Sequence, residues 1–277
     1  MPGTAGTLPE RDGNAVKGDH GHVLVVGGSD RYTNTPGIVA LGALRVGTDL
    51  VTAAAPGRSA DATATAALNI TSEPLDGPRL AAEHVDTVVE LAGERDCLAI
   101  GPGLGRADAT QAAVIDVLDR YDGPAVVDAD AIHAAAGAPD VLEGCIVTPH
   151  AGEFAALTGE EPGDAVDDRA DAAARAADDL DCTVLLKGPV DIVADGDRTE
   201  RVDAGNPHMA RGGTGDVLTG IAAGLVAQGR DPFPAAVTAA GLNGAAGDRA
   251  LAAHGPGFLL EEMLDAVAAA LSDGEPE

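Results

Sequence analysis

The stretch from residue 205 to residue 220 combines a glycine-rich turn with one acidic side chain, Asp216, at the start of an apolar helical run. Such a turn leaves backbone N–H groups unpaired at a helix N-terminus, where the amides and the helix dipole hold anions. A carboxylate fits there if Asp216 takes a proton from a hydroxyl that attacks a bound phosphoryl group. Alternatively, the glycines form a tight loop and Asp216 only complements the dipole. Four glycines around one acid favour phosphoryl transfer.

Lysine occurs at only two positions, Lys17 and Lys187, and a glycine follows each of them. Each lysine also lies next to an apolar, strand-like run. In a chain that otherwise uses arginine, a retained lysine is more consistent with a phosphate contact than with a solvated charge. We therefore predict that both lysines bind phosphate.

The charge balance is strongly acidic, with 45 acidic against 17 basic residues and a net charge of −28. This charge repels nucleic acids and anionic membrane surfaces, so we expect neither as a partner. The acids are spread along the chain, which is typical of proteins from a high-salt cytosol; a specific cationic partner would predict one concentrated patch.

Nothing in the sequence indicates export or membrane insertion. No apolar stretch reaches the roughly 18–20 residues that span a bilayer, and the N-terminus lacks the features of a signal peptide. The three cysteines are widely spaced and predict buried thiols in a reducing compartment. We therefore expect a cytoplasmic protein.

The chemistry needs a scaffold, and the order of short β-branched runs and helical patterns predicts one. Alternating strands and helices predict a parallel sheet covered on both faces, in one domain with an N-terminal arm (1–16) and a polar tail (272–277). Strands are predicted at 22–26, 50–54, 97–100, 125–128, 145–148, 183–186 and 191–194. Helices are predicted at 36–46, 59–68, 107–121, 152–158, 165–180, 214–228, 234–253 and 258–271.

Several polar or glycine-rich turns follow the predicted strands. Ligands of parallel sheets bind beyond the carboxyl ends of the strands, so these turns together predict a nucleotide-sized cleft. Each turn also has a structural alternative. Asp130 fits a helix N-cap, and Thr148, Pro149 and Glu153 fit the cap, first-position and dipole roles of a helix start. Those roles leave His150 unexplained.

The ordered set of motifs resembles the NAD(P)H-hydrate dehydratases, members of the ribokinase-like superfamily. The resemblance covers residues 17–253 and implies a ribokinase-like domain over residues 17–271. That domain has a mainly parallel central sheet, helices on both faces and no separate lid. The segments that carry the resemblance are residues 17–21, 27–32, 101–105, 128–131, 148–153, 187–188 and 205–220.

The resemblance implies roles for individual residues. Asp216 would be the catalytic base and would contact the hydrated nicotinamide nucleotide. Thr35 stands where the family usually has alanine and Asn34 where glycine is usual, while His208 and Arg211 replace smaller residues. The other implied roles form three groups: a substrate wall of Thr35, Gly103 and His150, a nucleotide site of Lys187, Gly188, Pro189, Val190, Asp191 and Gly215, and an anion hole of Gly213, Thr214 and Gly215.

The activity implied by the resemblance is repair of the S epimer of hydrated NADH and NADPH. These compounds carry a hydroxyl at ring carbon 6, and hydroxide is a poor leaving group. If Asp216 helps the hydroxyl attack the terminal phosphate of ADP (or ATP), the ring nitrogen can expel phosphate and restore the dihydropyridine. Mg²⁺ would accompany the nucleotide. Asp128 and Asp130 are candidate supports for it, with a capping role as the alternative for Asp130.

The resemblance also implies a homo-oligomer, with a tetramer as one form. Two other functions stay open. A small-alcohol kinase of the same superfamily would use the same Asp216 but release a stable phosphate ester of a thiazole or pyrimidine vitamin precursor. A non-enzymatic nucleotide-binding regulator would be favoured by loss of the acid at position 216, and Asp216 is present.

Overall fold

A computed structural model describes Arg11 and residues 13–272 of the 277-residue chain. Most of the predicted N-terminal arm (1–16) and of the predicted tail (272–277) lies outside these residues. The domain limits at residues 17 and 271 therefore stay a prediction.

The described residues contain nine strands that form one sheet. The strands are β1 (His22–Val26), β2 (Leu50–Pro56), β3 (Ile70–Leu75), β4 (Cys97–Ile100), β5 (Ala125–Val127), β6 (Ile146–Val147), β7 (Thr183–Leu186), β8 (Asp191–Ala194) and β9 (Thr199–Val202).

Ten α-helices connect or follow these strands within the described part of the chain. They are α1 (Thr35–Arg45), α2 (Arg58–Ala64), α3 (Val85–Gly93), α4 (Asp108–Arg120), α5 (Asp130–Ala135), α6 (Ala151–Thr158), α7 (Val166–Leu180), α8 (Thr214–Ala227), α9 (Pro232–His254) and α10 (Leu260–Ser272). Among these described helices, none has both the length and the apolar composition that crossing a bilayer requires.

The sheet has the order β3-β2-β1-β4-β5-β6-β7-β8-β9. Strands β1 to β7 pair in parallel, and β8 and β9 add an antiparallel edge. The chain runs outward from β1 to β3 and then returns to place β4 on the other side of β1. A crevice therefore opens between β1 and β4 at the carboxyl edge of the sheet, where such folds bind ligands.

The two faces of the sheet carry separate apolar layers. Because side chains alternate along a strand, Val23 and Val25 of β1 face one layer, while Leu24 and Val26 face the other. The first layer contains α1, α8, α9 and α10; the second contains α3, α4, α5 and α7. One sheet thus unites the described residues in a single domain without a separate lid.

Helices α1 and α8 pack closely because glycines face each other at their crossing. A Cβ atom at Gly42 would lie 2.7 Å from the carbonyl oxygen of Val217, and one at Gly224 would lie 3.0 Å from Cα of Ala43. Nothing larger than glycine fits this contact without moving a backbone. The packing fixes the position of α8, whose first turn carries Asp216.

Seven of the nine strands match the predicted ones within a few residues. Strands β3 and β9 were not predicted: β3 contains Glu73 and Pro74, and three residues of the edge strand β9 are exposed, so neither shows an apolar alternation. Helices α3 and α5 were also missed. Three valines weaken the helical pattern of α3, and α5 has only 6 residues.

The three cysteines are free and buried, as predicted. Burial raises the pKa of the Cys145 thiol to about 12, and it also raises those of Cys97 and Cys182. Thiols in this state are poor nucleophiles, so these residues serve the core.

Candidate active site

The predicted site residues lie on loops and helix starts at the carboxyl edge of the sheet. Gly103 follows β4, His150 follows β6, and Lys187 follows β7. Thr35 is the first residue of α1, and Asp216 is in the first turn of α8. The structure therefore places them all at one edge, which is where the parallel topology sends them.

The first turn of α8 begins after a left-handed glycine. Gly213 has φ of +97°, and a side chain there would collide with Leu260. The first N–H groups of a helix have no acceptor within the helix, so the amides of this turn are suited to an anion. The Thr214 hydroxyl lies 2.8 Å from the carbonyl oxygen of Met209 and 3.1 Å from that of Arg211. Thr214 therefore offers its backbone amide to a ligand, while its hydroxyl holds the turn.

Arg211 holds the same turn against the start of α10. Its guanidinium donates to the carbonyl oxygens of Phe258, Pro256 and His208, and it lies 4.1 Å from the centre of the Phe258 ring. These bonds engage the side chain with the protein itself. Arg211 therefore stabilises the loop before α8.

Asp216 is a carboxylate with altered acidity. Burial raises its pKa to about 7, the neighbouring Asp128 and Glu153 carboxylates add to this shift, and Lys187 opposes it. A carboxyl group that titrates near neutral pH is suited to act as a general base. The position and the pKa of Asp216 both fit the predicted catalytic role.

Lys187 lies among acidic side chains next to the start of α8. Its Nζ atom is 2.8 Å from Oδ1 of Asp128 and 3.7 Å from Oε2 of Glu153. A Cβ atom on Gly215 would lie 3.5 Å from Nζ, so the ammonium directly faces the glycine turn. Burial alone would lower the pKa of Lys187, but Asp128, Glu153 and Asp216 raise it above its ordinary value. Lys187 is therefore a fixed positive charge beside the candidate phosphate site.

Asp128 directly follows β5 and is only 1% exposed. Its Oδ1 accepts a hydrogen bond from Lys187, and its Oδ2 accepts a 2.7 Å bond from the hydroxyl of Thr219 in α8. The next residue, Ala129, has φ of +52°, which is uncommon for a residue with a side chain. This strained backbone turns the chain directly from Asp128 into α5.

Asp130 is not the N-cap of α5, so the capping alternative for this residue is wrong. It is the first residue of α5, after an N-cap position held by Ala129. Its carboxylate accepts a 2.8 Å hydrogen bond from the amide of Gly105 and pairs with Nε of Arg106 at 3.2 Å. Asp130 therefore anchors the glycine-rich loop after β4.

His150 is the N-cap of α6. Its Nδ1 accepts a 3.1 Å hydrogen bond from the amide of Glu153, and the Glu153 carboxylate accepts a 2.9 Å bond from the His150 amide. The structural alternative in which Thr148 caps this helix is wrong, because the extended backbone that a cap requires falls two residues later, at His150. The amide of Lys187 donates to the carbonyl oxygen of Pro149 at 2.8 Å, which joins this helix start to the lysine loop.

The loop from Lys187 to Asp191 is supported from below by a buried arginine in α7. Arg169 donates to the carbonyl oxygens of Val190 at 2.7 Å and Leu186 at 3.2 Å. Gly188 lies so close to the guanidinium that a side chain there would collide with it. Burial raises the pKa of Asp191 to about 6. The hydrogen bonds from Arg169 hold this loop, including Pro189, at the cleft.

The substrate wall predicted at Thr35 and Gly103 forms a second group of contacts. The Thr35 hydroxyl donates to the carbonyl oxygen of Pro102 at 3.1 Å, and Ser29 donates to that of Gly103 at 2.8 Å. Gly103 has φ of +75° and no space for a side chain, since a Cβ atom would lie 2.9 Å from Cβ of Tyr32. The loops after β1 and β4 thus meet across the crevice.

Lys17 lies away from this site. It precedes β1 and therefore lies at the amino edge of the sheet, opposite Lys187. There it lines a cavity of about 490 Å³ together with Arg11, Asp49 and Asn69. Strand direction thus places only Lys187 at the predicted cleft, and phosphate binding by Lys17 stays a prediction.

The described residues do not present a ready metal site. Across Arg11 and residues 13–272, no group of three or more His, Cys, Asp or Glu side chains is arranged to hold a metal ion. Asp128, the candidate support, has both oxygens bonded to Lys187 and Thr219. The described residues therefore offer no cage of protein carboxylates for Mg²⁺, and a supporting role of Asp128 for a nucleotide-bound ion stays a prediction.

Three contributors to the site were not predicted from the sequence. Thr219 lies three residues after Asp216, a spacing that places both on one side of a helix, and this could have identified it. Glu153 had been noted only as a helix-start residue. Arg169 lies in an acidic helix and gave no signal in the sequence.

A sequence profile of the family described as NAD(P)H-hydrate dehydratase matches residues 23–268. The bifunctional NAD(P)H-hydrate repair enzyme Nnr of Pyrobaculum aerophilum is 45% identical over 258 residues, which cover 92% of this chain and 51% of that protein. The chain thus spans about half the length of this relative.

Other comparisons cover nearly the whole of both chains. The ADP-dependent (S)-NAD(P)H-hydrate dehydratase of Cenarchaeum symbiosum is 40% identical over 260 residues, covering 90% of this chain and 87% of that protein. The crystal structure of the ADP/ATP-dependent NAD(P)H-hydrate dehydratase from Bacillus subtilis superposes with a TM-score of 0.80 at 28% identity, covering 98% and 96% of the two chains. A crystal structure of a ribokinase-like superfamily protein from Enterococcus faecalis superposes with a TM-score of 0.84 at 22% identity, covering 96% and 92% of the two chains. This likeness confirms the predicted ribokinase-like architecture. The chain belongs to the NAD(P)H-hydrate dehydratase family.

Proposed function

We propose that this protein dehydrates the S epimer of hydrated NADH and NADPH, using ADP as the phosphoryl donor. The observation that carries the proposal is Asp216, whose pKa is raised to about 7 in the first turn of α8. Family membership supports the substrate, and the dehydratase of Cenarchaeum symbiosum is named as ADP-dependent and specific for the S epimer.

In the first step, Asp216 takes the proton of the hydroxyl at ring carbon 6. The hydroxyl oxygen attacks the terminal phosphorus of ADP, the bond from that phosphorus to the bridging oxygen breaks, and AMP leaves. The amides of Gly213, Thr214 and Gly215 stabilise the charge on the transferred group. A general base typically contributes about 10²–10⁴-fold to the rate.

In the second step, the ring nitrogen lone pair expels the phosphate as the bond from carbon 6 to oxygen breaks. Loss of a proton from carbon 5 then restores the dihydropyridine. The balance is hydrated NAD(P)H plus ADP to NAD(P)H, AMP and phosphate. Phosphorylation therefore converts a poor leaving group into a good one.

The substrate and nucleotide are proposed to bind on different walls of the cleft. Thr35, Gly103 and His150 would contact the hydrated dinucleotide. The nucleotide would lie against the loop from Lys187 to Asp191, which Arg169 holds in shape. Mg²⁺ would reach the site on the phosphates of the nucleotide, since the Bacillus subtilis relative was crystallised with ATP/Mg²⁺ and the described carboxylates offer no cage.

Further proposals concern the protein as a whole. The net charge of −28, spread along the chain, supports a cytoplasm of high salt content. Resemblance to the family supports a homo-oligomer, with a tetramer as one form, and light scattering would measure its mass. The catalytic domain is proposed to comprise residues 17–271.

The test is incubation with chemically hydrated NADH and either ADP or ATP, followed by dihydropyridine absorbance and by analysis of the nucleotide products. We expect absorbance to recover with ADP while AMP and phosphate form in equal amounts. A parallel incubation of a thiazole or pyrimidine alcohol with ATP tests the alternative. A stable phosphate ester of that alcohol, with no recovery of absorbance from hydrated NADH, would instead support a vitamin-precursor kinase. Nucleotide binding without any turnover would support a regulator.

A further inference from the structure

The Asp128 side chain joins two parts of the cleft that are distant in the sequence. Its Oδ1 accepts a 2.8 Å hydrogen bond from Nζ of Lys187, which follows β7. Its Oδ2 accepts a 2.7 Å bond from the hydroxyl of Thr219, which belongs to α8. Both oxygens of this buried carboxylate are therefore bonded to protein donors, one charged and one neutral.

Thr219 lies one helical turn after Asp216, so the two side chains share one side of α8. The Thr219 hydroxyl is also 3.0 Å from the carbonyl oxygen of Gly215. Asp128 thus connects the lysine to the helix turn that carries both the candidate base and the glycine amides.

We propose that Asp128 is a positioning residue for phosphoryl transfer, which holds the Lys187 ammonium at the start of α8 and away from the Asp216 carboxylate. The proposal rests on the proposed function, because it assigns Lys187 to the nucleotide phosphates. Asp128 acts through Lys187 and does not contact the reacting atoms.

The need for such a residue follows from the chemistry of lysine. Its four-carbon stem is flexible, and its ammonium pairs with whichever carboxylate it reaches. Without Asp128, the ammonium would move to Asp216, which already contributes to its charged state. That pair would neutralise the base and withdraw the cation from the phosphate. In the wild type, the backbone of Asp128 is fixed, since Ala129 is held at φ of +52° and the Asp128 carbonyl packs against Gly101. The Asp128 carboxylate therefore cannot move with the ammonium toward Asp216.

A double-mutant cycle on ADP binding tests this coupling without turnover. Calorimetry would give the ADP affinity of the wild type, Asp128→Asn, Lys187→Ala and the double variant. With Lys187 present, we expect Asp128→Asn to weaken ADP binding about tenfold, the scale of one charge-assisted hydrogen bond. Without Lys187, the same change should weaken it less than about twofold. An equal loss in both backgrounds would overturn the proposal.

A second pair of variants covers the case in which Lys187→Ala does not fold. Thr219→Val keeps every charge but removes the hydroxyl that orients Asp128, and we expect ADP binding to weaken about two- to fivefold. Thr219→Ser keeps the hydroxyl and should restore wild-type affinity. Folded Val and Ser variants that both bind ADP like the wild type would contradict the proposal.

The pH profile of kcat is a measurement that a purely structural role of Asp128 would leave unchanged. Asp128 and Glu153 raise the pKa of Asp216, and Lys187 lowers it. Loss of the Asp128 charge therefore lowers that pKa, and the acidic limb of kcat should shift to lower pH in Asp128→Asn. The control is Asp86→Asn, which removes an exposed carboxylate paired with Arg120 and should leave the limb in place. An unshifted limb in a folded Asp128→Asn enzyme counts against the proposal.

The two proposals fail in different ways. Coupled ADP binding with no dehydration of hydrated NADH would refute the proposed activity and leave the role of Asp128 intact. Additive effects on ADP binding in an active enzyme would refute the role of Asp128 alone.

Discussion

Lys17 and Lys187 are the same residue type, and each is followed by glycine next to a strand, yet they lie at opposite edges of one sheet. Lys187 follows β7 and so reaches the carboxyl edge. Lys17 precedes β1 and so stays at the amino edge. The local sequences are alike, and strand direction alone assigns only one of them to the cleft.

The surroundings of the two lysines differ accordingly. Lys187 lies between Asp128 and Glu153 and faces the first turn of α8. Lys17 is exposed, and the nearby Asp49 carboxylate accepts hydrogen bonds from the amides of Gly18 and His20. In a parallel α/β fold the helices that follow strands begin at the carboxyl edge, so free helix amides and dipoles collect there. Lys187 therefore lies beside a helix start whose amides are suited to phosphate, whereas Lys17 lies at the opposite edge.

The largest expected effect is at the carboxyl edge, in Asp216→Asn. The amide keeps the size of the side chain but cannot accept the proton, so turnover should fall roughly 10²-fold or more. ADP should still bind, and slightly more tightly, because a like charge beside its phosphates is removed. Turnover, ADP affinity and thermal melting would be measured on one preparation.

The opposite pattern would show that Asp216 serves only the helix dipole. Turnover would then stay near the wild-type rate while stability fell by about 0.3–1 kcal/mol. Near-normal dehydration by the asparagine variant would end the proposed mechanism.

Sequence patterns predicted this edge better than they predicted its contacts. Apolar runs and glycines in the local sequence identified the carboxyl ends of β1, β4 and β7 and the start of α8. The bonds from Asp128 to Lys187 and Thr219 join residues 59 and 91 positions apart, and no local pattern encodes such pairs. The edge strands β3 and β9 were not predicted for a related reason, because exposure of their side chains removes the apolar alternation that identifies a strand.

The second effect distinguishes the two lysines directly. Lys187→Ala removes the cation beside the phosphates, so ADP affinity should fall about 10- to 100-fold, while affinity for the hydrated dinucleotide changes much less. Stability should fall as well, by about 3 kcal/mol, because Asp128 and Glu153 are left without their cation. Calorimetry with each ligand and thermal melting would measure these changes. Equal losses for both ligands would indicate a structural role.

The third effect is the pH dependence of kcat, which the buried carboxylates of the cleft determine. Asp216 acts as a base only when it is ionised, and its pKa is raised to about 7. We therefore expect kcat to fall about tenfold for each pH unit below that value. An unperturbed carboxyl would place this limb near pH 4. A flat kcat between pH 5 and 7 would contradict the assignment of Asp216 as the base.

The fourth effect contrasts the cleft with the exposed acids that surround it. At low ionic strength the Debye length rises to about 30 Å, and the surface carboxylates of a chain with net charge −28 repel one another. The melting temperature should therefore rise between dilute buffer and molar potassium chloride. The pH at which the acidic limb of kcat lies should change little over the same range of salt, because buried charges are screened weakly. A melting temperature independent of salt would refute the high-salt proposal.

The smallest effect is expected at the amino edge, in Lys17→Ala. Because this lysine is exposed and lies opposite the cleft, its loss should change turnover and ADP affinity by less than about twofold, which makes it the matched control for Lys187→Ala. The cavity beside Lys17, Arg11 and Asn69 offers the one competing outcome, a second anion site. Calorimetric stoichiometry decides between them. One ADP per wild-type chain, unchanged in Lys17→Ala, means that phosphate recognition belongs to the carboxyl edge, whereas two per chain falling to one would return Lys17 to the role that its sequence suggested.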